Sequence, residues 1–205
     1  MKTKDATVKQ ATINDVEGIV RIHQEAFKDF FLTNLGERFL RLYYSSFIKS
    51  GRGVVYVAEK GDDVVGFTAT SYISKGFNLG LIKKSLISYL LEAIRLLFVQ
   101  PKGLMRLAKN LTKESKDASI KDDGLYAELY SIAVSPSCQG EGIGKFLLSV
   151  TESDIKVHNK RMSLTTDYYN NDKTIAFYHS LGYNELYEFE TYPNRKMWRM
   201  IKYLN

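Results

Sequence analysis

A glycine-rich turn between a predicted strand and a predicted helix constrains the fold of this chain more than any other feature. The pattern predicts a strand over residues 125–134 and a helix from residue 143 to about 158. Gly140, Gly142 and Gly144 lie at the junction. Glycines there let main-chain N–H groups approach a phosphate closely, and the helix N-terminus adds partial positive charge. The junction therefore predicts an anion-binding turn, to which Lys145 can add a full charge.

The remaining elements predict an α/β fold of the α+β type. Further strands are predicted at residues 8–10, 54–59, 64–71, 162–166, 185–191 and 197–203. Further helices are predicted up to residue 27, over 36–48, over 81–113 with breaks at Pro101 and Gly103, and over 172–181. This order favours a mixed, mostly antiparallel central sheet with helices on both faces over strict βαβ repeats. We expect one domain over residues 1–205, with a helical insertion at about 76–122.

Composition narrows the class of protein. The chain has 205 residues, 44% of them hydrophobic and 25% charged, which is typical of a globular rather than a disordered protein. The single cysteine, Cys138, excludes an intramolecular disulfide, and the polar first ten residues lack the apolar core of a signal peptide. No segment reaches the roughly 18 apolar residues of a membrane span. We therefore expect a cytoplasmic protein.

The net charge of +6 is compatible with nucleic acid, an anionic membrane or a phosphorylated cofactor as partner. Because Lys and Arg are spread along the chain without a basic run, we expect no nucleic-acid binding. A Walker loop would need a Gly-Lys-Ser/Thr ending, which this turn lacks. A dinucleotide site would need an acidic residue after the next strand, where Asp167 lies, but the antiparallel strands on either side disfavour that fold.

The turn and its neighbours resemble the coenzyme A-binding core of the GCN5-related N-acetyltransferase (GNAT) family. The matching strand and turn are Leu129-Tyr130-Ser131-Ile132-Ala133-Val134-Ser135-Pro136 and Gln139-Gly140-Glu141-Gly142-Ile143-Gly144. Two further blocks agree, namely Asn171 with Ala176-Phe177-Tyr178-His179-Ser180-Leu181-Gly182-Tyr183, and the helix start Ala11-Thr12-x-x-Asp15. Residues 81–123 depart from the family pattern, because a minimal member is shorter there.

The resemblance implies an acetyl-CoA-dependent N-acetyltransferase. In such an enzyme the main chain of Ile132, Ala133 and Val134 would pair with the pantetheine arm. Asn171 would bond the same arm, and Tyr178 would protonate the departing thiolate. The pyrophosphate would be held by Gln139, Gly140, Glu141, Gly142, Ile143, Gly144 and Lys145. No metal is expected, since His23, His158 and His179 are scattered singly without ligand spacing.

The chemistry also requires a proton acceptor, because an amine must lose a proton before it attacks a thioester. Glu128 lies in the strand just before the expected pantetheine-pairing residues, and we predict it to be the general base. Its alternation with Leu129 leaves open that it simply faces solvent. A bulge in this strand would open main-chain N–H groups for an oxyanion.

The acceptor is the least determined part of the prediction. Phe30, Phe31 and Tyr72 suit a ring-bearing molecule, so we expect a small-molecule primary amine such as an amino sugar, in free or nucleotide-linked form. A polyamine, an aminoglycoside and a protein N-terminus stay open. So do a monomer and a homodimer.

The insertion carries a wide apolar surface flanked by basic residues. We favour packing on its own domain as a lid on the acceptor pocket, while a membrane surface or a partner remains an alternative. The apolar residues are Leu86, Ile87, Leu90, Leu91, Ile94, Leu97 and Phe98. The competing function is a non-enzymatic module that senses coenzyme A or docks on a membrane.

Overall fold

The computed structural model describes residues 5–28, 30–112 and 122–205. The strands are β1 Thr7–Gln10, β2 Gly53–Lys60, β3 Asp63–Ser71, β4 Ala127–Val134, β5 Arg161–Asp167, β6 Asn184–Thr191 and β7 Arg195–Tyr203. The helices are α1 Val16–Ala26, α2 Phe31–Asn34, α3 Glu37–Lys49, α4 Phe77–Lys84, α5 Leu86–Val99, α6 Pro101–Thr112, α7 Ile143–His158 and α8 Asp172–Ser180. Short 3₁₀ turns precede α1 and follow β4.

Within the described residues the strands form one seven-stranded sheet, in the order β1-β2-β3-β4-β5-β7-β6. Neighbouring strands pair antiparallel except β4 and β5, which are parallel. The predicted fold class, a mixed and mostly antiparallel sheet with helices, is confirmed. The parallel pair at the centre of the sheet is the feature that creates the site described below.

Helices cover both faces of the sheet because its central strands are buried on both sides, as residues 64–71 of β3 show. On one face, α1 and α3 pack against β3 around Tyr44, Phe47 and Phe67, which are fully buried. On the other face, α7 and α8 pack around Leu148, Met162 and other buried residues. A buried hydrogen bond of 2.8 Å joins the hydroxyls of Thr68 on β3 and Thr151 on α7, which fixes the position of α7.

The described part of the insertion contains three helices where two were predicted. The breaks lie at Ser85 and Gln100, not at Gly103, which is inside α6. Pro101 disfavours a helical conformation at Gln100 and begins α6, where its missing N–H costs nothing. A Cβ on Gly103 would lie 2.9 Å from Cδ2 of Leu35, so glycine permits close packing of α6. The rest of the predicted insertion, residues 113–121, lies outside the described residues.

Candidate active site

A wedge-shaped cleft opens between β4 and β5. The two strands pair only where Ala127–Leu129 lies beside Met162–Leu164, and they separate beyond those residues. A cavity of about 660 Å³ occupies the gap, with walls formed by residues 129–134 of β4 and 164–167 of β5. Ile132, Ala133 and Val134, the residues expected to pair with the pantetheine arm, all line it. Their main chain faces a gap that no β5 residue closes by strand pairing, so an extended ligand can enter there.

The predicted bulge is present at the start of the open segment. Thr70 pairs with Leu129 and Ala69 with Ser131, which leaves Tyr130 as the extra residue on β4. Tyr130 lines the cavity, and its ring stacks on Phe77 with a centroid distance of 5.2 Å. A bulge turns main-chain groups away from the neighbouring strand. The β4 main chain at this point is therefore placed to donate toward the cleft.

The glycine turn borders one end of the cavity. Gly140 and Gly142 have φ of +85° and +83°, conformations that residues with a Cβ rarely adopt. Gly142 caps α7, whose first main-chain bond runs from Phe146 N to the Gly142 oxygen. Helix geometry leaves the N–H groups of residues 143–145 without an intrahelical acceptor. These donors and the open space beside Gly140 suit a pyrophosphate.

The side chains of the turn differ in their surroundings. Gln139 and Gly144 line the cavity, whereas the Ile143 side chain is buried in the core and can offer a ligand only its main chain. Lys145 is exposed at the start of α7. Glu141 pairs with Lys60 of β2, so its carboxylate is directed away from the anion-binding donors and partly neutralised.

Tyr178 and Asn171 lie on the opposite wall, at α8. Tyr178 lines the cavity and is 6% exposed, and burial raises the pKa of its hydroxyl above the usual value. It is therefore protonated throughout the neutral range. The Asn171 amide donates to Thr166 Oγ1 at 2.6 Å and to the Asp167 oxygen at 3.0 Å, which anchors the start of α8 to β5. Both residues line the cavity, and their predicted roles toward coenzyme A stay predictions.

Glu128 is placed differently from the prediction. The residue is 8% exposed and is not one of the residues that line the cavity. Arg199 Nη1 donates to its Oε1 at 2.5 Å, and the Ser74 hydroxyl donates to its Oε2. Burial lowers the pKa of Arg199, but the charge and hydrogen bond of Glu128, together with the nearby Tyr126 and Tyr187, raise it overall. Glu128 is thus half of a buried ion pair beneath the cleft.

The aromatic acceptor residues divide into two groups. Phe30 and Phe31 line the cavity as predicted, with Arg195 4.9 Å over the ring of Phe30. Tyr72 does not; its ring lies 4.1 Å from that of His158, at the end of α7. The reason is strand direction. Since β3 runs antiparallel to β4 and Ser71 pairs with Glu128, Tyr72 lies beside the start of β4, whereas the cleft opens at its end.

His23 is a cavity residue that the sequence did not single out. It lies on α1 and is 3% exposed. Its Nδ1 is 2.7 Å from the Tyr44 hydroxyl, and that hydroxyl donates to Ser131 Oγ at 3.3 Å. In that arrangement Nδ1 carries the proton, so Nε2 has a free lone pair. Nε2 is buried and has no hydrogen-bond partner among the described residues. In the sequence, the helical spacing of His23 among apolar residues is typical of a core residue, so nothing marked it as a cavity residue.

Burial lowers the pKa of His23 from 6.5 to about 4. As the pH falls through this range the unfolded chain binds the proton first, so stability is lost progressively between the two values. On acidification the free energy of unfolding of the wild type should fall by about 3 kcal/mol more than that of His23→Gln, which lacks this titrating group. Urea unfolding of both proteins at about pH 7.5 and about pH 4.5 measures this, because the difference between the two pH values isolates the titration. Equal pH dependence in the two proteins would contradict the assignment.

Asp167 and Arg195 add charge to the acceptor end of the cavity. Arg195 Nη2 donates to Asp167 Oδ2 at 2.6 Å, and its Nε donates to the other carboxylate oxygen. Both residues line the cavity beside Phe30. The sequence singled out Asp167 in the test for a dinucleotide site and gave no signal for Arg195, which lies 28 residues later on β7. This end therefore combines aromatic rings with hydrogen-bonding groups.

Comparison with known proteins agrees with the geometry. The profile of the Acetyltransferase (GNAT) family matches residues 17–183, and the chain belongs to this family. It is therefore an acetyltransferase, and the family generally uses acetyl-CoA. A sequence comparison with curated proteins finds no match. Among residues 5–28, 30–112 and 122–205, no group of three or more His, Cys, Asp or Glu side chains is arranged to hold a metal ion.

Solved structures share the fold along nearly the whole chain. The ribosomal-protein-S18-alanine N-acetyltransferase from Escherichia coli is 17% identical with a TM-score of 0.61, over 98% of this chain and 94% of that one. The histone acetyltransferase HPA2 and related acetyltransferase from Corynebacterium glutamicum is 18% identical with a TM-score of 0.62, over 98% and 97%. An N-acetyltransferase from Staphylococcus aureus Mu50 is 13% identical with a TM-score of 0.62, over 98% and 100%. At these identities the likeness shows the fold alone.

Proposed function

We propose that this chain transfers an acetyl group from acetyl-CoA to a primary amine of a small molecule. The observation that carries the proposal is one continuous cavity between β4 and β5. It runs from the glycine turn, past Tyr178 and the open β4 main chain, to the aromatic and charged end at Phe30 and Arg195. Donor and acceptor can therefore meet in one enclosed space.

The donor half is built from main-chain groups. The N–H groups at the start of α7 hold the pyrophosphate, and Gln139 lines the cavity beside them. The open main chain of Ile132 and Val134 pairs with the amide-bearing pantetheine arm, as an added strand would. The Asn171 amide oxygen is directed to the same arm, because its nitrogen is already engaged. The β4 bulge then places N–H donors at the thioester carbonyl, where an oxyanion forms.

His23 is the better candidate for the proton acceptor, because it lines the cavity and Glu128 does not. Its neutral Nε2 can accept an N–H hydrogen bond from the incoming amine and orient the lone pair of that amine toward the thioester. Attack forms the N–C bond, and the nitrogen of the tetrahedral intermediate becomes acidic enough to pass its proton to Nε2. Both Glu128 oxygens are engaged by Arg199 and Ser74, so we assign Glu128 the positioning of β4.

Tyr178 completes the reaction. Collapse of the intermediate breaks the C–S bond, and the Tyr178 hydroxyl donates to the departing sulfur and gives it a proton. A raised pKa keeps this hydroxyl protonated before the reaction, which is the form that an acid needs. The imidazolium of His23 returns its proton to solvent, and the phenolate regains one. The products are the acetamide and free coenzyme A.

The acceptor end favours a ring-bearing, polar amine. Phe30 and Phe31 offer apolar faces, and the Asp167–Arg195 pair beside them offers polar groups to hydroxyls, since each carboxylate oxygen keeps a lone pair beyond its bond to Arg195. Sugars present both kinds of surface, so an amino sugar is the acceptor that this end supports best. A polyamine would leave the aromatic faces unused.

Free-thiol release from acetyl-CoA tests the proposed function. The purified chain is incubated with amino sugars, nucleotide-linked amino sugars, polyamines, aminoglycosides and peptides, and products are identified by mass. We expect release that depends on an amino sugar and forms its acetamide. Release with polyamines or peptides alone would replace the proposed acceptor class. Failure of every amine to raise release, in a protein that binds coenzyme A, would overturn the small-molecule proposal.

A further inference from the structure

Helix α5 presents a second apolar face to the outside of the molecule. Its inner side packs on the domain through Leu96 and Glu92, which are 1% and 2% exposed. The opposite side is apolar along its whole length and exposed, with Phe98 at 84% and Ile87 at 75%. We call it the outer face of α5; it consists of Leu86, Ile87, Leu90, Leu91, Ile94, Leu97 and Phe98. The expectation that these residues pack on their own domain is wrong.

An exposed apolar face of this length is expected to be a binding surface. Exposed apolar residues on monomeric proteins usually occur singly, and a contiguous patch marks an interaction surface. The residues repeat at helical spacing, so they form one stripe along a helix of 14 residues. No helix of the described residues is long and apolar enough to cross a membrane. The stripe is therefore suited to a helix that lies on a surface.

The charge around the stripe has one sign. Residues 76–112 contain six cations, Lys83, Lys84, Arg95, Lys102, Arg106 and Lys109, and one acid, Glu92. The segment thus carries +5 of the net +6 of the chain. Glu92 is on the inner side, where Arg38 and Arg95 bind its carboxylate at 3.1 Å and 2.9 Å. The exposed part of the segment therefore presents only positive charge.

Lysines stand at both ends of the outer face. Lys83 and Lys84 precede α5, Lys102 follows it, and all three are exposed. Lys84 donates to the main-chain oxygens of Lys49 and Ser50, which are neutral and leave its charge uncompensated. A helix that lies in a bilayer surface has this arrangement: the apolar stripe enters the acyl boundary, and flanking lysines reach the phosphates.

We propose that the outer face of α5 docks on an anionic phospholipid bilayer. Charge decides between this occupant and a second copy of the chain. A symmetric dimer through the stripe would bring two segments of +5 together, and like charges across an interface oppose association. Anionic headgroups are attracted by the same lysines. The proposal does not depend on the acceptor or on the catalytic residues.

The docked orientation bears on the active site. Helix α6, which follows α5, contacts the acceptor end of the cavity: Arg106 lies 4.8 Å over the ring of Phe31, and Leu35 packs against Gly103. Docking through α5 therefore holds the acceptor end close to the lipid surface.

Vesicle flotation of the full chain tests the proposal. We expect binding to vesicles of phosphatidylcholine with roughly a third phosphatidylglycerol, and at least tenfold weaker binding to phosphatidylcholine alone or at high salt. Ile87→Glu with Phe98→Glu removes binding, and Lys83→Gln with Lys102→Gln weakens it about tenfold or more. Val157→Glu is the matched control: Val157 is 82% exposed but lies on α7, and its variant binds as the wild type does.

All the substituted positions are exposed, so we expect the variants to fold. Thermal unfolding and coenzyme A binding check this. Absence of wild-type binding to the anionic vesicles would overturn the proposal. Binding that survives the Ile87→Glu, Phe98→Glu double change would do the same. So would a dimer in solution that this double change converts to a monomer, because the outer face would then be covered by a second copy. Thiol-release activity with a water-borne amine is unaffected by the double change, which separates docking from the proposed function.

Discussion

Tyr178→Phe is expected to lower kcat by about 10²–10⁴-fold, the usual contribution of a general acid. The change removes one hydroxyl from a side chain that lines the cavity and leaves its packing on Phe177 and Tyr183 in place. Because the hydroxyl acts on the sulfur only when the C–S bond breaks, KM for acetyl-CoA should change little. Steady-state kinetics with saturating amine measures both constants.

Tyr183→Phe is the matched control for this variant. Tyr183 is a fully buried tyrosine on the same side of the sheet, its hydroxyl is not part of the cavity wall, and its change should leave kcat within a few fold. Coenzyme A binding by calorimetry should be equal in both variants. Unchanged turnover in Tyr178→Phe would remove this residue from the chemistry. An equal loss in both variants would mean that packing, not proton donation, is responsible.

Glu128→Ala is expected to destabilise the fold by about 3 kcal/mol, because it leaves the buried Arg199 with only the more distant carboxylate of Asp122, 4.0 Å from its Nε. The two side chains are 11% and 13% exposed, and they join β4 to β7 across the centre of the sheet. Loss of the pair also frees Ser74 and removes the charge that holds the Arg199 pKa high. Urea unfolding at neutral pH measures the difference in free energy.

Asp123→Ala serves as the control for Glu128→Ala. Asp123 pairs with Arg161 at 2.9 Å, but its side chain is 44% exposed, and such surface pairs contribute only about 0–1 kcal/mol. Thiol release separates the structural role from the catalytic one. Glu128→Gln, which keeps the shape, should retain at least a tenth of the turnover if Glu128 only positions β4. If Glu128→Gln kept normal stability but lost 10²-fold or more in turnover, Glu128 would again be assigned as the general base.

The sequence predicted best what depends on local pattern. The turn from Gln139 to Gly144 needs glycine at two positive-φ positions, and periodicity defines the strand and helix beside it. Tyr178 and Asn171 were singled out by the resemblance of α8 to the family, and their roles stay predictions. The parallel pairing of β4 with β5, which makes the wedge, is set by distant segments and was not predicted as such.

The residues that differed from prediction depend on tertiary geometry. The bulge at Tyr130 interrupts the alternation of β4, so Tyr130 and Ser131 both contact the side of the sheet covered by α3. Glu128 precedes the bulge and meets Arg199, a partner 71 residues away. No local pattern locates a bulge or such a partner. The outer face of α5 is the converse case, because its apolar spacing was visible and only the structure shows that it is exposed.

A crystal structure with bound coenzyme A tests the central claim most directly. The account predicts density for the pantetheine arm between β4 and β5, beside the main chain of Ile132 and Val134. It places the pyrophosphate at the N-terminus of α7 and the sulfur within hydrogen-bond reach of the Tyr178 hydroxyl. Coenzyme A bound outside the wedge, or with its sulfur on the far side of β4 from Tyr178, would contradict it.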